Sequence, residues 1–209
     1  MAILDEAGEP ALTFRALAAR LGGGVGSIYW YVANREELLD QATDHVLSGV
    51  VAELDTFDAT EDPIADLRAI ALALFAAIAD RPWLGAYLMR DTGAQPHAML
   101  IFERMGQQVL RLRLSPKDSF DAVSAVLGFV VGTAADLGQE LPQEVRDGEM
   151  TREEYTARFA EQWRALDPAT FPFVHHISEV FATHDDREQF EAGLDLLLAG
   201  LRLHAASAG

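Results

Sequence analysis

The stretch TFRALAARLGGGVGSIYWYVANREELL, residues 13–39, decides the fold. Thr13 is a helix-capping residue, and Phe14, Leu17, Ala18 and Leu21 follow it at a helical period. Gly22-Gly23-Gly24 stops that helix sharply, Val25 to Val32 reads as a short second helix with Ile28 pointing inward, and Asn34 caps a third. Two short helices joined by a glycine turn, with small Ala18 where they cross, form a helix-turn-helix. The first helix then crosses a phosphate backbone and the second enters a major groove. The hydroxyls of Ser27, Tyr29 and Tyr31 suit phosphate contact, the Tyr29 ring suits a sugar or a thymine methyl, and Arg15 and Arg35 supply cations from either side.

Charge opposes this reading in sum and supports it locally. The chain carries 33 acidic against 16 basic residues, a formal net charge of -17, and a field of that sign repels nucleic acid. Between Pro10 and Arg35 there is no Asp or Glu, so Arg15, Arg20 and Arg35 make an island of +3. The head is thus expected to face DNA while an acidic body stays solvated.

Outward from the head, residues 2–7 read as the end of a helix stopped at Gly8. The third helix carries a stripe of Leu39, Ala42, Val46, Val50 and Leu54 beyond the head. A polar loop from Asp55 to Asp62 precedes Pro63, after which Leu67, Ile70, Leu74 and Ile78 restore the helical period. Pro82 opens a helix bearing Trp83, Leu84, Tyr87 and Leu88, and Phe102, Met105, Val109 and Leu112 mark another. Ser115-Pro116 has the form of a cap followed by a first-position proline. Residues 120–137 are apolar on more than one face, with Gly128 and Gly132 allowing close backbone approach. Residues 138–150 read as an acidic loop, and Tyr155, Phe159, Trp163 and Leu166 form a further stripe. The last helix, from about Arg187 to Ala206, repeats the double apolar face. These two helices are either buried in one subunit or paired across a dimer. The fold class is all-α: a three-helix head, residues 1–50, on a helical body, residues 51–209.

The sequence has no cysteine, which removes disulfides and thiolate chemistry. Its opening lacks the pattern of a signal peptide, and no uninterrupted apolar run reaches the roughly eighteen residues of a membrane span. A cytoplasmic protein without membrane partners is the expectation. His175, His176 and His184 do not match a short zinc spacing, the glycine run lacks a P-loop ending, and no catalytic triad has supporting context, so neither metal, cofactor nor catalytic residue is expected. A protein-binding adaptor and a small-molecule enzyme stay open as alternatives.

The head strings TFRALAARLG, GSIYWYV and NREELLDQA resemble the TetR family of ligand-responsive transcriptional regulators, and the tail FEAGLDLLLAGLRLHA resembles its tetracycline-repressor branch. The resemblance implies a homodimeric repressor that binds double-stranded operator DNA and answers to a small apolar or aromatic effector. It implies DNA contacts from Thr13, Arg15, Ser27, Tyr29, Tyr31 and Arg35, with Trp30 packed at the base of the head. It implies a four-helix dimer interface that includes Val126, Val130, Leu194, Leu197 and Leu201. The residues expected around the effector are Trp83, Tyr87, Phe102, Gln107, Phe129, Phe159, Trp163 and His175. Val51, Ala69, Ala73 and Tyr87 stand where a magnesium-tetracycline site would need imidazole, amide or aromatic groups; Tyr87 alone retains an aromatic ring and the metal-binding imidazoles are absent, so tetracycline itself is not expected.

Overall fold

In the head, each helix boundary has a local cause. The computed structural model describes residues 1–90, 95–137 and 142–208, and all of its regular structure there is helical. The opening helix α1, Ala2–Ala11, is interrupted where Gly8 takes φ 68°, and one further turn follows the break. The stop expected at Gly8 is therefore a kink. In α2, Phe14–Leu21, the Thr13 side chain accepts from the Ala16 amide at 3.0 Å. At its other end Gly22, with φ 68°, bonds to Ala19, while the Gly23 amide reaches the Ala18 carbonyl at 3.0 Å. Only glycine enters this left-handed closing turn without strain.

The second reading helix is shorter than expected. Its α-helical part, α3, is Val25–Ile28, and residues 29–31 continue as turns. Gly24 offers no side-chain cap, which leaves four residues with too few bonds to extend a regular helix. Ala18, Ile28 and Val32 form the small core of the head, with Phe14, Leu17 and Leu38 against it. Asn34 then caps the long α4, Arg35–Leu54, by accepting from the Glu37 amide at 2.8 Å, and the Glu37 carboxylate accepts from the Ala33 amide at 2.6 Å.

The body is organised around α5, Pro63–Ala79, capped by Asp62 and buried through Leu67, Ala71, Leu74 and Ile78. It packs against α4, against α6 (Pro82–Arg90), α7 (Pro96–Leu110) and α8 (Pro116–Leu137). The α6–α8 crossing is close enough that a Cβ at Gly85 would stand 2.8 Å from the Ala135 Cα. Ser115 caps α8 as expected, accepting from the Asp118 amide at 3.2 Å. By length and composition α8 could also cross a bilayer, with a mean hydropathy of 1.5 over its most apolar window. Here Val123, Val126, Val130 and Ala134 are its buried side.

The chain divides into two compact units: residues 1–138 with 193–209, and residues 139–192. The second contains α9 (Gln143–Arg146), α10 (Arg152–Arg164), α11 (Pro172–Thr183) and the start of α12 (Asp186–Ala208). Reciprocal bonds between Thr151 and Glu154 start α10. Residues 138–141 of the expected acidic loop lie outside the described residues, whereas 143–146 are helical. In the first unit, the later part of α12 is fixed by Arg68 to Asp195 at 2.6 Å and Arg202 to Asp62 at 2.6 Å.

Candidate DNA-reading head and apolar cavity

The head presents three aromatic rings outward. Tyr29, Trp30 and Tyr31 are 59%, 89% and 82% exposed, and Phe14 holds the Tyr29 ring edge-on at 4.7 Å. Trp30 was expected at the base of the head. It stands in solvent instead, because the turns after Ile28 carry it away from the core formed by Ala18, Ile28 and Val32. Thr13 is occupied as the α2 cap, and the Ser27 hydroxyl donates to the Gly24 carbonyl at 2.6 Å.

The cationic island is smaller than its three arginines suggest. Arg20 forms a bidentate pair with Glu6 of α1 at 2.6 and 2.7 Å, which lowers the Glu6 carboxyl below its ordinary value. Arg35 is turned onto α1, donating to the Leu12 carbonyl at 3.0 Å and the Glu9 carbonyl at 2.6 Å, with the Glu9 carboxylate at 3.2 Å. Arg35 thus clamps α1 to the start of α4, and its side chain keeps 45% of its surface exposed. Arg15 is exposed on α2 with its charge uncompensated among the described ion pairs. Glu6 and Glu9 precede the acid-free window in sequence, and folding brings them back onto it.

In the body, a cavity of about 460 Å³ is walled by Leu74 of α5, Leu88 and Met89 of α6, Met99, Ile101 and Phe102 of α7, and Leu127 and Val131 of α8. Ser124, Gly128 and Gly132 recur at four-residue spacing along its α8 wall. A Cβ at either glycine would meet nothing within 4 Å. Both glycines therefore widen the cavity instead of drawing two backbones together. Among the described residues, Gln95 and Ser124 alone bring hydrogen-bonding side chains to it, and no charged residue lines it.

Phe102 is the only member of the expected effector set on this wall. The others are placed differently. Trp83 is buried, with its indole N–H donating to Asp5 at 2.9 Å. Tyr87 is also buried and borders a separate polar recess beside Asn34, Arg35 and Leu39. Gln107 lies in the groove beside the 56–60 loop, and Phe129 packs where a Cβ on Gly193 would otherwise sit. In the second unit Phe159 meets Tyr155 at 5.1 Å, Trp163 stacks on Phe181 at 4.0 Å, and the His175 ring bonds the Leu166 carbonyl at 2.6 Å. These rings serve helix packing, which their area alone justifies. Among the described residues, no group of three His, Asp or Glu side chains is placed to hold a metal.

The cavity and the head share a helix. Tyr87 donates a short hydrogen bond to the Asp40 carboxylate on α4, and the Gln95 amide nitrogen lies 3.4 Å from the Tyr87 hydroxyl and 3.5 Å from Asp40. One turn further along α4, Asp44 bonds both the backbone and the ring of His97. The expected interface residues separate by depth: Val126, Val130 and Leu194 are buried within the chain, Leu197 is exposed, and Leu201 is half-buried. Leu197, Gly200 and Leu201 face Ala122, Ala125 and Val126 across a groove of about 310 Å³ between α12 and α8.

Comparison with known proteins agrees with this architecture. The family described as tetracyclin repressor-like, C-terminal domain, matches residues 58–204. An HTH-type transcriptional repressor, Rv1353c of Mycobacterium tuberculosis, is 31% identical over 90% of the chain and 71% of its own length. The structure of SCO7222, described as a TetR from Streptomyces coelicolor, is 34% identical and superposes with a TM-score of 0.80, covering 100% of this chain and 94% of that one. ActR of the same organism, solved in complex with actinorhodin, has the same fold at 24% identity and a TM-score of 0.79, covering 98% and 93%.

Proposed function

The chain belongs to the TetR family of transcriptional regulators, and we propose that it is a homodimeric repressor released from its operator by a small, largely apolar effector. As a regulator of this family it is not an enzyme. It acts in the cytoplasm, with chromosomal DNA. Arg15, Tyr29 and Tyr31 are its outward DNA contacts, and Trp30 joins them on the same exposed surface.

One observation carries the regulatory part. The α7 wall of the cavity begins at residues bonded to Asp40 and Asp44, and α4, which bears both, begins at the head. A molecule that binds the cavity better in one setting of α7 than in another biases α4 and, through it, the separation of two heads in a dimer. Operator binding requires that separation to match one helical turn of DNA, about 34–36 Å. The ligand shifts the balance only by its differential affinity for the two settings.

Selection of bound fragments from genomic DNA tests the proposal. The expected result is enrichment of sites with two-fold symmetry, bound by a dimer and released by compounds that occupy the cavity. Failure to enrich any site, or binding by a monomer, would reject it.

A further inference from the structure

Among the described residues with a buried polar side-chain atom lacking a hydrogen-bond partner, Gln95 is the one on the cavity wall. It is 7% exposed, lines the cavity, and sits immediately before Pro96, which begins α7. Its amide nitrogen faces the Tyr87 hydroxyl and the Asp40 carboxylate. Asp40 only accepts when ionised, so the nitrogen and not the carbonyl belongs on that side. The two atoms of a planar amide diverge, and the carbonyl oxygen accordingly points away from Asp40. It has no hydrogen-bond partner among the described residues. A buried carbonyl left without a donor is costly: the leucine, methionine, isoleucine and valine of the wall supply none, and the Ser124 hydroxyl on the same wall makes no bond to it.

We propose that the cavity takes a neutral, mostly apolar molecule carrying one hydroxyl or N–H group, and that this group donates to the Gln95 carbonyl. This deepens the effector reading above and rests on it. The described wall carries no charged residue, which disfavours a strongly ionic ligand, because desolvating an unpaired charge costs far more than such a site returns. The donor gives orientation, and the apolar walls give affinity. Since the same amide contacts Asp40, its reorientation around a bound donor is felt on α4.

Calorimetric titration with β-naphthol and with its methyl ether, which keeps the rings and lacks the donor, separates the possibilities. For the wild-type chain the naphthol is expected to bind about tenfold more tightly than the ether, the size of one hydrogen bond to a buried partner. In Gln95→Leu, checked for folding by its melting curve, that preference should fall to about twofold or less, with ether affinity unchanged. Equal wild-type binding of both probes would overturn the Gln95 assignment and leave the cavity as an effector site. Loss of the preference in Ser124→Ala but not in Gln95→Leu would also overturn it, moving the acceptor to Ser124. Binding of neither probe would overturn the effector cavity and the inference together.

Discussion

Asp44 on α4 holds the first turn of α7 through His97, accepting from its backbone amide at 2.9 Å and meeting its Nδ1 at 2.8 Å. A helix start leaves amides unpaired, and Gln95 makes no side-chain cap on α7, so the carboxylate supplied by α4 acts in its place. Asp44→Ala should cost about 1–2 kcal/mol, the range for losing a helix cap, measurable by urea denaturation. It should also reduce the effect of a cavity ligand on DNA affinity. Asp44→Asn retains an acceptor and should lose less. Full ligand response in Asp44→Ala would show that the α4–α7 joint is not the coupling.

The pairing of Arg20 with Glu6 gives the head a testable order of charges. Arg15→Ala should weaken operator binding about tenfold and reduce the salt slope by about one phosphate contact. Arg20→Ala should do less, because its guanidinium already has a carboxylate. Glu6→Gln should strengthen binding by freeing that cation, most clearly at low salt. A salt series of anisotropy titrations reads all three, and equal effects from Arg15 and Arg20 would count against the assignment.

These two regions differ in how legible they were from sequence. Thr13, Gly22 and Asn34 act within four residues of themselves, so their caps and turn follow from local chemistry. Arg20–Glu6 and Arg35–Glu9 join residues separated by 14 and 26 positions, and a count of charges along the chain misses them. The cavity was hidden for another reason. Aromatic rings were the expected wall, yet Trp83 and Trp163 fill their own surroundings, while Met89, Met99 and two glycines bound the empty space. The spacing of Gly128 and Gly132 was visible. Whether it brings backbones together or leaves room depends on the partner helix, which a single chain's sequence does not specify.

Gly128 offers a way to close that space. A side chain there enters open volume, and replacing a helical glycine gains up to about 1 kcal/mol of propensity. Gly128→Leu is expected to keep or raise the melting temperature, keep operator affinity within about twofold, and abolish β-naphthol binding. A marked loss of stability would mean that the position is packed.

Asp66 makes the body sensitive to acid. Burial alone would push its carboxyl up, but hydrogen bonds from the Thr60 side chain and amide and from Arg111 hold it below its ordinary value. A depressed folded-state value means that its contribution is complete above the ordinary aspartate range, about pH 4. That contribution is lost as pH falls through the lower folded value. Asp66→Asn should therefore destabilise the chain near neutrality by about 1–2 kcal/mol, and the difference from wild type should shrink as pH falls below the ordinary aspartate range. A difference independent of pH would remove the carboxylate from the explanation.

The dimer proposal is tested at residues whose loss leaves the subunit folded. Val126, Val130 and Leu194 are all within 2% of complete burial inside the chain, so a charge at any of them would unfold the protein and say nothing about pairing. Leu197 is 36% exposed, Leu201 is half-buried beside it, and Leu196 and Leu203 are exposed on the same helix. Leaving these leucines in water is unfavourable, and a second copy laying its own α8 and α12 across them would cover them. Leu197→Asp combined with Leu201→Asp should thus give a folded monomer by sedimentation and circular dichroism. Its operator affinity should fall by at least about a hundredfold, because a lone head loses the effective concentration supplied by its tethered partner. A double variant that stays dimeric would place the interface elsewhere. One that becomes monomeric and keeps full affinity would break the link between dimer geometry and DNA reading.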